Sequence, residues 1–165
     1  MKKLFLLVVI TFLLVACSMA NTPTSRVEEL FNKYQKVDND ISEAITKVLD
    51  EQYLTDTHKE RYRKLLERQY TNLSYEIKDE IIDGNNAKVI VEIEVVDYKA
   101  AISDLTFDSS VYTKESFDEE KLNRLENAKD KVTYTLELTL TKDKDNKWHL
   151  DALTNEQIKK IQGMY

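Results

Sequence analysis

The sharpest pattern in the chain lies toward its C-terminal end. Val132, Tyr134, Leu136, Leu138 and Leu140 alternate with Thr133, Thr135, Glu137, Thr139 and Thr141, and a period of two predicts a strand with one face buried and the other in water. Beyond the polar turn Lys142-Asp143-Lys144-Asp145-Asn146-Lys147, the residues Trp148, Leu150 and Ala152 predict a returning strand. An earlier pair has the same character. Leu73, Tyr75, Ile77 and Ile81 are expected on one side of a strand, with Ser74, Glu76, Lys78 and Glu80 on the other. Asp83-Gly84-Asn85-Asn86 then supplies residues tolerant of positive φ, and Val89, Val91, Ile93 and Val95 resume the alternation, so a β-hairpin is predicted.

Ahead of these strands the period is helical. Ser25-Arg26-Val27-Glu28 has the spacing of a capping box, which predicts a helix start with Val27, Leu30, Phe31, Tyr34 and Val37 on one face. Asp38-Asn39-Asp40 interrupts it, and the spacing from Asp40 to Glu43 restarts it as a second helix or a bent continuation carrying Ile41, Ile45, Val48 and Leu49. A third helix begins near Thr55-Asp56. It places Tyr62, Leu65, Leu66, Tyr70 and Leu73 opposite Lys59, Glu60, Arg63, Lys64, Glu67 and Arg68. From Ala101 to Lys131 the pattern predicts a loop and a helix through Phe117, Leu122, Leu125 and Ala128. Thr154-Asn155-Glu156-Gln157 caps a short last helix with Ile158, Ile161 and Met164. Helices followed by antiparallel strands predict an α+β fold, with N-terminal helices packed on a curved antiparallel sheet of about four strands.

The first residues follow a different logic. A basic start (Lys2, Lys3), an unbroken apolar run from Leu4 to Leu14 and a small-residue exit at Leu14-Val15-Ala16-Cys17 form the zones of a secretory signal. The run is short of the about 20 residues that a membrane-spanning helix needs. Leu14-Val15-Ala16-Cys17 resembles the bacterial lipobox. That resemblance implies cleavage between Ala16 and Cys17, a diacylglycerol on the Cys17 sulfur and a lipid-anchored protein on the extracytoplasmic face of the cell membrane. Two acyl chains are enough for stable anchoring. The expected division is a signal peptide over 1–16, a tether over 17–24 and one domain over 25–165.

Cys17 is the sole cysteine, so once acylated it leaves the domain without disulfide, thiol nucleophile or thiolate metal site. Lys2 and Lys3 belong to the signal, which leaves 22 Lys+Arg against 30 Asp+Glu and a formal charge of −8 afterwards. No basic stripe for nucleic acid is visible. Two glycines and one proline exclude glycine-rich linkers and repeats.

The element order, the opening Pro23-Thr24-Ser25-Arg26-Val27-Glu28-Glu29-Leu30-Phe31 and the closing Lys147-Trp148-His149-Leu150 resemble the small cystatin/NTF2-like lipoproteins of Gram-positive bacteria, over Ser25 to Tyr165. The resemblance implies a cone-like domain with a pocket between helix and concave sheet. It implies no particular activity, since the superfold hosts binding modules and some enzymes.

Candidate chemistry is sparse. His149 and Asp151, two apart in the last predicted strand, share a face opposite Trp148 and Leu150, where a histidine and a carboxylate could do acid–base work or simply sit on a solvated surface. His58 is expected at the surface. Two histidines, and acidic runs without the spacing of a calcium loop, give no metal site and no cofactor. Of nine tyrosines, Tyr34, Tyr62, Tyr70, Tyr75 and Tyr134 fall on core phases; among those outside that set, Tyr98, Tyr112 and Tyr165 are notable candidates for a recognition surface. The expectation is a membrane-anchored, non-enzymatic module that binds a protein or a small apolar ligand. The alternatives are a hydrolase or isomerase using His149 or a pocket carboxylate, and an assembly role through an open sheet edge.

Overall fold

The computed structural model describes residues 21–165. The signal, the cleavage site and Cys17 lie outside them, as does the first half of the expected tether. Helices α1 (Pro23–Lys36), α2 (Asn39–Asp50) and α3 (Asp56–Thr71) lead into strands β1 (Ser74–Asp83) and β2 (Asn86–Val96). A short α4 (Tyr98–Ala101) and α5 (Lys114–Asn127) precede β3 (Lys131–Lys142), β4 (Trp148–Leu150) and α6 (Asn155–Ile161). The strands form one antiparallel sheet in the order β1-β2-β3-β4. The α+β architecture is therefore as the sequence predicts. Among the described residues no helix is long and apolar enough to cross a membrane.

The long strands pair as their alternation requires. Val89 lies opposite Leu138, Val91 opposite Leu136 and Ile93 opposite Tyr134. Their inner face meets Val27 and Phe31 of α1, all nearly inaccessible, with Phe31 stacked on Tyr75 at 4.6 Å between ring centroids. On the outer face Lys88 pairs with Glu137 and Lys131 with Glu94 across neighbouring strands.

Four local expectations are corrected. Helix α1 starts at Pro23 and not at Ser25: Thr22 is the N-cap, and Thr22 and Ser25 cap each other reciprocally, with proline at the first helical position where its missing N–H costs nothing. Asp38, not Asp40, caps α2 through Ile41 N–H. Strand β4 ends at Leu150, short of Ala152. The fourth concerns β1, whose register shifts between Ile77 and Asp79. The extra residue turns Glu80 to the face of Val89 and sends Ile81 to the opposite face with Lys88. Glu80, exposed as expected but on the other face, accepts hydrogen bonds from Thr24 N–H at 2.8 Å and from the Thr24 hydroxyl at 2.7 Å. Its carboxylate thus sits on the N-terminus of α1, where the helix dipole favours it.

Asn21 closes the same end of the domain. Its Nδ2 donates to the Asn146 carbonyl at 2.7 Å, and its Oδ1 accepts from Trp148 N–H at 3.0 Å. Asn21 and Thr22, ahead of the expected helix start, are therefore tied to the domain by hydrogen bonds.

Candidate functional site

The interface between helices and sheet is filled. Leu136, Leu138, Leu140, Val89, Val91 and Ile93 are each 1 % exposed or less, so the middle of that interface is closed by the side chains of α1, and only a cleft of about 310 Å³ stays open at its margin, between Arg26, Leu30 and Lys33 of α1 and Trp148 to Leu150 of β4. A more apolar concavity lies within the helical layer. It is a cavity of about 390 Å³ bounded by Val48, Leu49, Gln52, Tyr53 and Leu54 from the end of α2 and the loop after it. Tyr62, Leu65 and Leu66 of α3, Tyr98 of α4, and Lys114, Asp118, Lys121 and Leu125 of α5 supply further walls, and Gln162 and Met164 close it from the C-terminal segment. The size is that of small-molecule sites, and the wall is chiefly apolar with few polar groups, as such sites are.

Its floor is held by a second core cluster of Leu65, Tyr98, Leu122 and Leu125. The Tyr98 hydroxyl donates to the Leu65 carbonyl at 3.4 Å and accepts from Arg68 Nη2 at 3.1 Å. Arg68 also donates to the carbonyls of Leu125 and Glu126, which satisfies the last turn of α5 and places a cation at the negative end of that helix. Arg61 binds Glu126 through Nε and Nη2, both at 2.7 Å, and Glu119 through Nη1 at 2.8 Å. These hydrogen bonds hold both carboxyls below the usual carboxylate range, most strongly through Arg61 in each case. The two helices are thereby fixed against each other by forked, charge-assisted contacts.

The mouth carries the polar groups. Lys114 Nζ donates to Asp118 at 2.7 Å and to the Tyr53 carbonyl at 3.2 Å, which ties the loop after α2 to the start of α5. Lys121 Nζ stands 6.0 Å from the centre of the Tyr62 ring and has no carboxylate partner among the described residues. Burial, helped by the nearby Asp118 carboxylate, pushes the Tyr62 hydroxyl up to about 12.

The expected recognition tyrosines do not form one surface. Tyr98 is 3 % exposed and lines the cavity floor, a correction that follows from its place one turn beyond β2, under α5. Tyr112 is half-buried and packs edge-on to Phe117. Tyr165 is exposed and stands against Tyr134 and Lys160 on the far side of α6. His149 does not pair with Asp151: its Nε2 lies 2.6 Å from Asp143 in the β3–β4 turn, while Asp151 accepts from Thr141, and the imidazole is open to water away from the cavity. His58, expected outside, is buried against Glu119 at 3.2 Å because α5 covers the first turn of α3. Among the described residues no cluster of histidine, cysteine and carboxylate could hold a metal ion.

Lys114, Asp118, Lys121 and Leu125, at i, i+4, i+7 and i+11, share one helical face. That spacing was the signal for a wall of the cavity. Tyr53, Gln162 and Met164 had none, since only the tertiary arrangement brings them there.

No family model matches the chain, and no curated protein matches it. A solved structure, that of a candidate lipoprotein (ycdA) from Bacillus subtilis, is similar over 78 % of this chain at 16 % identity, with a TM-score of 0.44. The chain spans 46 % of that protein.

Proposed function

We propose that this protein is a lipid-anchored, extracytoplasmic binding module without chemistry of its own, and that the cavity between α3 and α5 takes a small, largely apolar ligand. The observation that carries the reading is the cavity itself, walled by leucines, a valine, a methionine and tyrosine rings, with its polar groups confined to the mouth. A site for catalysis would need a nucleophile or base within hydrogen-bond reach of an orienting partner and of bound substrate. The residues here offer the ion pair Lys114–Asp118 at the rim, already engaged with the Tyr53 carbonyl. The anchor rests on Leu14-Val15-Ala16-Cys17 after the apolar run.

An assembly role through the open edge has less to support it. The exposed edge β1 is bulged and carries Glu76, Lys78, Asp79 and Glu80, devices that discourage pairing with a second strand. Native mass spectrometry of the full chain extracted from the membranes of a producing bacterium tests the reading. A small molecule retained by the parent and absent from a Val48→Trp variant is expected. A protein that leaves the membrane empty, and takes up no apolar probe afterwards, would overturn it.

A further inference from the structure

The domain has two distinct ends, and the chain enters at one of them. The β1–β2 turn, the β3–β4 turn and the start of α1 are joined there: Lys142 N–H donates to the Asn85 carbonyl, Glu80 accepts from Thr24, and Asn21 bridges Asn146 and Trp148. The cavity belongs to the other end. Strand β2 runs from Asn86 at the turn to Val96, two residues before Tyr98 on the cavity floor, and eleven residues of strand cover about 35 Å at roughly 3.3 Å each.

We infer that the turn end faces the membrane, with Ile81, Ile82, Lys144 and Lys147 toward the lipid headgroups, and that the cavity faces away from it. The inference rests on the anchoring of Cys17 proposed above. From Cys17 to Asn21 the chain has four residue steps, a reach of at most about 14 Å, and Asn21 is hydrogen-bonded at both ends of its amide to the β3–β4 turn. The lipid therefore cannot lie far from that turn. Two further observations agree. Ile81 and Ile82 are large apolar side chains 52 % and 53 % exposed beside the β1–β2 turn, and a lipid interface would cover them. The two turns carry Lys142, Lys144 and Lys147 against Asp83, Asp143 and Asp145, a balanced end on a mature chain that as a whole is strongly acidic. An anionic bilayer repels this end less than the rest of the domain within about a Debye length.

The consequence is an upright domain that presents its ligand site outward. The test uses the full chain, processed in a bacterial host and reconstituted into vesicles of phosphatidylglycerol and phosphatidylethanolamine with a headgroup-linked fluorescence quencher. Since Cys17 carries lipid, Lys144→Cys and Tyr53→Cys each provide one free thiol for a fluorophore, at exposed positions near the turn and at the cavity mouth. Quenching several-fold stronger at 144 than at 53 is expected. Equal or reversed quenching in protein that sediments with the vesicles would overturn the orientation alone. Insertion of about twelve Gly and Ser residues after Met19 is expected to reduce the difference, and an undiminished difference would show that the short tether is not its cause. If the labelled variants stay in solution, as Cys17→Ser is expected to, anchoring itself has failed, and the orientation falls with it.

Discussion

Gly163→Ala is the substitution for which the structure makes the sharpest energetic statement. Gly163 follows α6 at φ +69, and a Cβ there would fall on the Val96 carbonyl oxygen and lie 2.5 Å from Gln69 Nε2. Gln69 is 1 % exposed and reads the backbone of Val96 with both ends of its amide, donating at 2.9 Å and accepting at 3.1 Å. The left-handed backbone costs an alanine about 1–2 kcal/mol. Moving Gln69 away leaves buried polar groups unpaired at about 1–3 kcal/mol for each. The expected loss is at least about 3 kcal/mol, a large share of the ~5–15 kcal/mol that holds an ordinary domain together. Gly84→Ala is the internal control: it has a similar φ of +57 but nothing within 4 Å of the added Cβ, so only the backbone cost of about 1–2 kcal/mol remains. Urea unfolding of the domain followed by Trp148 fluorescence and far-ultraviolet circular dichroism gives both values. Equal losses in the two variants would refute the claim that the Gln69–Val96 clamp requires glycine beside it. Because Gln162 and Met164 flank this residue and line the cavity, Gly163→Ala is also expected to weaken binding of an apolar probe.

Three further outcomes are expected. Glu80→Ala should cost about 0.5–1 kcal/mol through the lost carboxylate at the start of α1, and Glu80→Gln should recover part of it by hydrogen bonding without charge; full recovery in Glu80→Gln would mean that the dipole contributes nothing. Arg61→Lys should lower stability by about 1 kcal/mol, since an ammonium cannot fork to Glu119 and Glu126 together. Both carboxyls have folded-state pKa values below their unfolded ones, so their contribution is complete above the unfolded value and is lost as pH falls through the folded one; Arg61→Lys should flatten the acid limb of stability against pH. Tyr62 titrates near 12 when folded, above its unfolded value, so its contribution is complete below that unfolded value and fades as pH rises toward 12. Ultraviolet titration of tyrosinate in the parent and in Tyr62→Phe measures it, and a Tyr62 ionising like a free tyrosine would contradict its burial.

Sheet and helix periodicity carried most of the fold because β2, β3 and the main helices each present one buried face. The inner residues of β2 and β3 pair in the register that their alternation implies, and Thr55 and Thr154 cap α3 and α6 at the expected places. The bulge at Lys78 was hidden, since one added residue changes the facing of Glu80 and Ile81 without changing the strand-like composition around them. Burial of Tyr98 and His58 was equally hidden: each lies outside the apolar stripe of its own element and is covered by α5, which comes from elsewhere in the chain. The cavity draws on α2, α3, α4, α5 and the C-terminus, and no local pattern encodes such a meeting. How little of the expected pocket on the sheet stays open was hidden for a related reason. Val27 and Phe31 were correctly placed on the core face of α1, but how completely they fill the concavity depends on packing distance.

The central claim is that the cavity between α3 and α5 is a ligand site. Titration of an environment-sensitive apolar dye into the parent and into Val48→Trp, whose new ring would enter the cavity from an exposed position on its wall, tests it most directly. Saturable binding to the parent at one site, lost by tenfold or more (about 1.4 kcal/mol) in the variant with unfolding stability retained, is the predicted result. Equal binding by both, or none by the parent, would contradict it.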